Sequence, residues 1–416
     1  MPANLVSKVD KLLRRYGFFL VILYCIGALS PAFYPKSSLL SNDLDSIISA
    51  KSGSAIFKQT FWLGLFVYYV FNVITSKELR FFSRSINITL LLLILICITI
   101  STSALWSAFP SLTIKRSIFQ FAFCGTVFFS IYYAFQQGTL GKCVIFSVYA
   151  IYALTFLSII MGYGFSVNGT LASFAKNKNQ FAASLIIIIV FMITLKNCNL
   201  VVLSNYKLHI SLLVTLVFLT QSKTNLAIIT LFYLSTKIPI QLNRYLLSVT
   251  YIAFIFLFCM FYPSNSYFGY NYTILDIIDE DFLTGRGYIW DLLYYDLHFF
   301  NQSLIGYGYG AYFGTPTIPY FFDDPYSFTR FITSAHNGYI DHIMQLGIVL
   351  TSFLAVLYFI MASRLKHRFL LASMSIPIIH NITETSMLKD SSIIWLAFLF
   401  SVSLSCLLDI KILNEK

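Results

Sequence analysis

The chain has 416 residues, of which 58% are hydrophobic and only 11% are charged, and its formal net charge is +11 at pH 7. Soluble domains carry about 25% charged residues, so this composition indicates a membrane protein. The sequence contains no nucleotide-binding, metalloprotease or nucleic-acid-binding motif, and we therefore attribute its positive charge to membrane topology and assign it no nucleic-acid partner.

Apolar segments long enough to cross a bilayer as helices recur along the chain. The predicted fold class is an all-α polytopic membrane protein with about 12 transmembrane helices. The first segment follows a basic start and has no convincing cleavage site, so we interpret it as a span and not as a removed signal peptide. The seven cysteines lie in or beside apolar segments and are interpreted as small buried hydrophobic residues. The expected spans are 17–34, 55–75, 86–105, 117–135, 143–161, 180–196, 204–220, 224–240, 244–263, 338–362, 368–382 and 391–410.

The distribution of basic residues predicts the orientation. With the N-terminus in the cytoplasm, a majority of the 28 Lys and Arg residues falls on the cytoplasmic side, which favours both termini inside. Several outer cations break this trend where a span begins or ends: Lys115 and Arg116 in "WSAFPSLTIKRS", Lys176 and Lys178 in "FAKNKNQFA", and Lys223 in "TQSKTNLA". Each lysine alone fits snorkelling to lipid head groups, but together these cations favour a shared anionic ligand.

The longest polar segment, residues 264–337, separates the ninth and tenth spans. It divides the chain into spans 1–9 (1–263), a large outer loop (264–337) and spans 10–12 (338–416). Within the loop, "GYIWDLLYYDLHFF" has helical spacing that places Ile289, Leu292, Leu293 and Leu297 on one face. The glycines of "GYGYGAYFG" then favour a tight, non-helical path. We expect a structured outer subdomain that lies across the mouth of the helical bundle.

The order and spacing of six motifs resemble the O-antigen ligase/polymerase superfamily of bacterial inner membranes. These motifs, spread over roughly residues 100–360, are "SALWSAFPSLTIKRS", "FAKNKNQFA", "TQSKTNLAII", "LTGRGYIWDLL", "IGYGYGAYF" and "AHNGYIDHIMQLGIV". Within the superfamily they look most like Wzy-type polymerases of O-antigen or exopolysaccharide.

This resemblance implies a glycosyltransferase of the inner membrane that is active at its periplasmic face. Its donor would be an oligosaccharide repeat unit on undecaprenyl pyrophosphate, transferred with inversion and without a metal or other cofactor. In a polymerase the acceptor is another lipid-linked unit, and a chain-length regulator protein is a possible partner. Two alternatives stay open: an O-antigen ligase that uses lipid A–core as acceptor, and a lipid-linked oligosaccharide flippase or other transporter.

Two residues match the family's catalytic positions. Arg286 matches the loop arginine, and a guanidinium there would stabilise the departing diphosphate; its alternative is a local ion pair with the acidic run 279–281. His336 matches the family's "HN" histidine and would act as a base for the acceptor hydroxyl or as a phosphate binder. Asn337 is expected to hold the ring of His336 or to start the next helix.

The remaining candidates are cations assigned to the pyrophosphate or the glycan. Lys223 stands where many relatives carry arginine. A lysine there keeps the positive charge but lacks the planar guanidinium of arginine. Arg330 matches no motif and is included because it is the second arginine of the loop. His298 and His342 fit the histidine motif less well. The full predicted set of binding residues is Lys223, Lys178, Arg116, Lys176, Arg330 and Asn337.

Overall fold

The computed structural model describes residues 3–34, 44–78, 82–201, 205–260, 286–313, 315 and 334–414. Within these residues the chain is helical and contains no strand; an isolated bridge joins Phe165 and Leu171. The helices are α1 (Ala3–Cys25), α2 (Leu44–Thr75), α3 (Arg84–Thr102), α4 (Pro110–Gln136), α5 (Leu140–Ile160), α6 (Lys178–Asn197), α7 (Tyr206–Thr220), α8 (Lys223–Ser235), α9 (Ile240–Met260), α10 (Arg286–Phe299), α11 (Gly338–Arg364), α12 (Arg368–His380) and α13 (Ile393–Asn414).

The all-helical prediction is confirmed for the described residues. Each predicted span lies mainly on one helix, although the span 224–240 also includes the first residue of α9, and α10 is the additional helix of the long loop. Among the residues described, α3, α4, α5, α6 and α11 are long and apolar enough to cross a membrane, and three shorter apolar helices correspond to α7, α12 and most of α13. The chain is therefore a multi-pass membrane protein, while the number of twelve crossings stays a prediction.

Helix α13 forms the centre of the bundle because its sequence is apolar on every face. From Ile393 to Leu408 its side chains are buried, and it packs against α12, α4, α3 and α6. The rings of Phe191 on α6 and Phe400 on α13 meet with centroids 4.1 Å apart. Helix α6 is similarly enclosed, with an unbroken buried run from Phe181 to Met192.

One end of the bundle carries a set of structural ion pairs. Arg14 of α1 binds the amide oxygen of Asn72 at 2.7 Å and lies 3.6 Å from Glu78, just after α2. At the same end, Lys366 pairs with Asp409 of α13 at 2.8 Å. The first and last helices therefore both place charged residues at this end, which agrees with termini on a common side. The side of the membrane that it faces stays a prediction.

The opposite end is built from the α3–α4 connection, the long loop, the start of α11 and the α12–α13 connection. Trp106, between α3 and α4, donates its indole N–H to the carbonyl of Ile305 at 2.8 Å. The amide of Tyr309 donates to the Ser103 hydroxyl at 2.9 Å, and its phenol donates to the carbonyl of Leu388 at 2.5 Å. The described part of the loop is thus attached to the end of the bundle.

Helix α10 confirms the helical spacing predicted within the loop. Leu293 and Leu297 are buried in a small apolar cluster with Tyr312, Ile343 and other residues of the loop and α11. The Leu292 side chain lies outside the described part of the structure. On the same helix, burial raises the pKa of Asp296 to about 6. Helix α10 therefore belongs to a small outer core that rests on the first half of α11.

Helix α11 is broken at Gly347, whose backbone lies at φ 67° and ψ 176°. The break separates a short outer piece, Gly338–Leu346, from the longer remainder. Backbone groups freed by a break must find other partners inside a membrane protein. The loop supplies them: the amides of Tyr307 and Gly308 donate to the carbonyls of Met344 and Gln345 at 2.9 and 2.8 Å, and the amides of Ile348 and Val349 donate to the carbonyls of Ser303 and Leu304 at 2.9 and 3.2 Å.

Candidate functional site

Arg286 and His336 lie together at the loop-bearing end of the bundle, although 50 residues separate them in the chain. Arg286 is the first residue of α10, and its side chain is 19% exposed. Its guanidinium donates to the carboxylate of Glu384 at 2.9 Å, to the carbonyl of Thr383, and to the carbonyl of His336 at 3.4 Å. The arginine therefore fastens the loop helix to the α12–α13 connection.

Glu384 bridges the two predicted catalytic residues. One carboxylate oxygen accepts from Arg286, and the other lies 3.4 Å from Nδ1 of His336. Burial alone would raise the pKa of Glu384, but the hydrogen bond with His336 and the charge of Arg286 outweigh it and lower that pKa below its ordinary value. Glu384 is therefore an anion at neutral pH that holds a guanidinium and an imidazole within one cluster.

His336 adopts a left-handed backbone conformation, with φ 51°. Such a conformation is uncommon for residues other than glycine and marks a position that the surrounding structure fixes. Its neighbour Ala335 is held by the indole of Trp290 at 2.9 Å and by the carboxylate of Asp341 at 3.0 Å. The imidazole is 43% exposed. The fold thus presents this ring outward from a constrained turn.

Asn337 starts helix α11, which is one of the two roles expected for it. Its side-chain oxygen accepts from the amides of Tyr339 and Ile340 at 2.9 and 3.1 Å, and its amide donates to the carbonyl of Ile382 at 3.0 Å. The residue is 4% exposed. These contacts fix the α11 start against the α12–α13 connection, and the predicted substrate contact of Asn337 stays a prediction.

The "KN" and "SKTN" motifs meet at a second place. Lys178 and Lys223 are the first residues of α6 and α8. The Ser222 hydroxyl donates to the Asn179 side chain at 3.0 Å, and the Asn225 amide donates to the Asn179 carbonyl at 3.2 Å. Two helix N-termini, each with a partial positive charge, therefore lie side by side beneath the lysines.

Lys176 lies two residues before α6 and is exposed, as is Lys223, whereas Lys178 is half-buried. Among the described residues none of these three lysines forms an ion pair. In the part of the chain that is described, no hydrogen bond joins this lysine group to the Arg286–Glu384–His336 cluster. The fold therefore joins Lys178 to Lys223 through their helix starts and joins Arg286 to His336 through Glu384.

Arg116 lies in a third region, in the first two turns of α4. Its guanidinium donates to the carbonyl of Gly310 in the loop. Beside it opens a cavity of about 700 Å³ between the start of α4, the loop, the start of α11 and the α12–α13 connection. Ser334 and Thr385 line this cavity. Since they neighbour the His336 turn and Glu384 in the chain, the cavity adjoins the arginine–histidine cluster.

Several sequence candidates remain without a structural test. Arg330 and the acidic run 279–281 lie outside the described residues, and so does the side chain of His298. His342 is buried within α11, where its Nε2 lies 3.4 Å from the carbonyl of Met387. In the part of the chain that the structure describes, no group of three or more His, Cys, Asp or Glu side chains is placed to hold a metal ion. Six of the seven cysteines are described there as free and buried.

Glu384 was absent from the residues predicted from sequence. It lies in "NITETSMLKD", a short polar connection that matches none of the six motifs. A usable signal was present nevertheless: a carboxylate in an outer connection is a ready partner for two cationic candidates that face the same side. The partner residue is 98 positions from Arg286, so local spacing does not reveal it.

Residues 208–355 match the family model of the O-antigen ligase domain. The matched segment runs from α7 into α11 and contains Lys223, Arg286, His336 and Asn337. The helical membrane bundle and this match define the class of protein: a multi-pass membrane protein that contains a segment similar to the O-antigen ligase domain. The resemblance to the O-antigen ligase/polymerase superfamily seen in the sequence is thereby confirmed for this segment. Comparison with curated proteins and with solved structures gave no match.

Proposed function

We propose that the protein is an inner-membrane glycosyltransferase that polymerises oligosaccharide repeat units carried on undecaprenyl pyrophosphate, at the periplasmic face. The observation that carries this proposal is the contact of Arg286 and His336 through Glu384 at the loop-bearing end of the bundle. The family match supports glycan transfer of the ligase or polymerase type. A lipid-anchored donor also suits a site built where a membrane bundle meets its outer loop.

The chemistry requires stabilisation of a leaving group and acceptance of a proton. The acceptor hydroxyl oxygen attacks the anomeric carbon, the bond from that carbon to the diphosphate oxygen breaks, and the configuration inverts. Arg286 stabilises the negative charge that grows on the diphosphate, because a guanidinium forms charge-assisted hydrogen bonds to phosphate oxygens. His336 receives the proton of the acceptor hydroxyl, and the carboxylate of Glu384 orients its ring.

The lysines at the starts of α6 and α8 serve the same donor. Helix N-termini attract phosphate, and the lysines above them add positive charge on flexible side chains. We assign Lys223 and Lys178 to the pyrophosphate, with Lys176 beside them, and Arg330 as a further cation of the loop. The bound donor then holds its lipid in the bilayer and its sugar at the outer cluster. A chain-length regulator protein is the expected protein partner.

An O-antigen ligase is the second candidate, and the family description favours it directly. It would use the same Arg286 and His336 and differ in the acceptor, which would be lipid A–core. The test gives purified protein lipid-linked repeat units alone or together with lipid A–core, without nucleotide or ion gradient. A polymerase forms a ladder of longer lipid-linked products from the units alone. A ligase forms product only when lipid A–core is added.

Substitutions of Arg286 and His336 test whether the transfer reaction depends on the proposed site. We expect Arg286→Ala and His336→Ala to abolish transfer, because each removes a group that acts on the reacting atoms. Arg364→Ala and His367→Ala change the same residue types at the opposite end of the bundle and should retain transfer. Expression and detergent elution profiles control for folding. Wild-type products from both site variants would remove these residues from the reaction, and single units that persist with folded wild-type protein and its own substrate would overturn the proposed function.

A further inference from the structure

The cavity beside Arg116 adjoins the proposed transfer site through residues that neighbour His336 and Glu384 in the chain. Its lining includes Ser334, two residues before His336, and Thr385, the residue after Glu384, while His336, Glu384 and Arg286 themselves do not line it. Asp341, which holds the amide of Ala335 just before His336, also lines the cavity. In an inverting displacement the attacking oxygen and the leaving diphosphate stand on opposite sides of the anomeric carbon. With the diphosphate at Arg286 and the base at His336, the attacking sugar arrives from the side of His336, and the cavity beside the His336 turn is the space for it that the structure offers.

The cavity has a surplus of positive charge. Its lining holds four cations, Lys58, Lys115, Arg116 and Lys389, and two carboxylates, Asp341 and Asp390. Asp390 forms an ion pair with Lys58, in which a carboxylate oxygen lies 2.5 Å from Nζ of the lysine.

Both carboxylate oxygens of Asp341 already accept hydrogen bonds, one from the backbone amide of Ala335 at 3.0 Å and the other from the side-chain amide of Gln345 at 2.8 Å. Lys115, Arg116 and Lys389 therefore have no carboxylate partner among the described residues.

The size and lining of the cavity suit part of a glycan. A volume of about 700 Å³ falls within the roughly 300–1,000 Å³ of small-molecule sites. Phe119 and Phe313 contribute aromatic surface, and Gln59 contributes an amide. The enclosed hydroxyl of Thr385 has no hydrogen-bond partner within the described part of the chain. A polar ligand that enters would supply this group with a partner.

We propose that this cavity binds the acceptor glycan and that Lys115, Arg116 and Lys389 recognise an acidic substituent on it, a carboxylate or a phosphate on a sugar. The assignment rests on the proposed function, since it presumes that glycan transfer occurs at His336. It adds a substrate class: the growing polysaccharide carries negative charge in its repeat unit. The three cations hold the acidic substituent while the acceptor hydroxyl lies next to His336.

The test measures binding to the full-length protein in nanodiscs with three probes. The first is a lipid-free oligosaccharide that contains glucuronic acid, the second is the same oligosaccharide with its carboxyl groups reduced to alcohols, and the third is geranylgeranyl pyrophosphate. The variants are Lys115→Gln combined with Lys389→Gln, and Lys142→Gln as a control at the opposite end of the bundle. Lys142, like both cavity lysines, is exposed.

We expect the wild-type protein to prefer the acidic oligosaccharide to its reduced form, and the double variant to bind the acidic form at least about tenfold more weakly, which corresponds to about 1.4 kcal/mol. Binding of geranylgeranyl pyrophosphate should stay unchanged in the double variant, and the control should match the wild type. Equal binding of the two oligosaccharides would overturn the acidic-substituent proposal, as would no binding of either. A selective loss of geranylgeranyl pyrophosphate in the double variant would assign the cavity to the donor and overturn the proposal as well.

Failure of this proposal and failure of the proposed function are distinguishable. If the protein lengthens its lipid-linked units but does not bind the acidic probe, the proposed function is supported and the proposed acceptor site is refuted. If the protein binds the acidic probe through Lys115 and Lys389 but transfers no glycan, the anionic-glycan site is supported and the proposed function is refuted.

Discussion

Replacing Glu384 by glutamine tests whether the carboxylate positions both Arg286 and His336. Glutamine keeps the shape of the side chain and removes its charge. The Arg286–Glu384 contact is 2.9 Å, and the two side chains are 19% and 29% exposed, so the pair is partly shielded from water. A hydrogen bond to a charged group contributes about 1.5–3 kcal/mol, and we take about 1.5–2 kcal/mol for this partly exposed pair. The expected loss in kcat is therefore about 10- to 30-fold.

The two kinetic constants should respond differently. In the proposed reaction Glu384 competes with the diphosphate for Arg286, so its removal should leave KM for the lipid-linked donor unchanged or lower. The loss of activity should appear in kcat, because the Arg286 guanidinium and the His336 imidazole lose the carboxylate that positions both of them. Glu384→Asp keeps the charge with a shorter reach and should retain more activity than Glu384→Gln. The assay is the initial rate of chain extension over a range of donor concentrations.

The pKa of Glu384 determines how the effect of Glu384→Gln on the rate should depend on pH. The pKa of Glu384 is lowered in the folded protein, so the carboxylate is ionised at neutral pH and its contribution is lost as pH falls through that lowered value. The carboxylate therefore stays ionised from pH 6 to 8, well above about 4.3, the ordinary pKa of glutamate, and the loss of rate in Glu384→Gln should be present throughout this range. Asp409→Asn removes a carboxylate paired with Lys366 at the opposite end and is the control. Wild-type kcat in Glu384→Gln would refute the positioning role.

Three further changes probe stability and charge. Gly347→Ala should lower the thermal midpoint by far more than Gly138→Ala, because both glycines have positive φ but a Cβ at Gly347 meets the backbone of Leu304 whereas one at Gly138 meets open space. Asp296→Asn should raise the free energy of unfolding at pH 7.5 by at most about 3 kcal/mol, since the folded protein must bury an ionised carboxylate whose pKa is raised to about 6. Lys223→Arg should retain substantial transfer activity, whereas Lys223→Glu should not, because the proposed donor site requires positive charge for the diphosphate.

Each of these expectations has a contradicting result. Equal thermal midpoints for the two glycine variants would show that the α11 break tolerates a side chain. The gain from Asp296→Asn should shrink as the pH falls through about 6 and be absent below the ordinary aspartate pKa of about 3.9, because both states are then protonated. A gain that is the same at pH 4 and pH 7.5 would assign it to packing. Equal activity of Lys223→Arg and Lys223→Glu in chain extension would show that charge at this position is irrelevant.

The helices could be predicted from the sequence because lipid leaves the backbone few alternatives. An apolar run such as "ITLLLLILICITI" has to satisfy its own amides and carbonyls, and it lies in α3. The helical spacing of Leu293 and Leu297 was likewise sufficient to predict α10. The break in α11 was not predicted, since Gly347 in "MQLGIVL" is compatible with a continuous span. The backbone of residues 303–308, distant in sequence, is what satisfies it.

The site residues that could be predicted from the sequence are likewise those that local motifs identify. Arg286 and His336 were found through motifs that resemble a known family, and the structure places them in one cluster. Their shared carboxylate was not found, because a pairing over 98 residues has no periodicity or spacing that a single sequence displays. The adjacency of Lys178 and Lys223 depends on how α6 and α8 pack, which composition does not determine. Their contribution to binding stays a prediction.

The interrupted helix α11 shares one backbone junction with the long loop. The loop closes the break from both sides, because residues 307 and 308 donate to the outer piece while residues 348 and 349 of the remainder donate to residues 303 and 304. The outer piece begins beside His336, and the same loop carries Arg286 at the start of α10. The junction at Gly347 therefore links the positions of the two candidate residues, although it lies away from both.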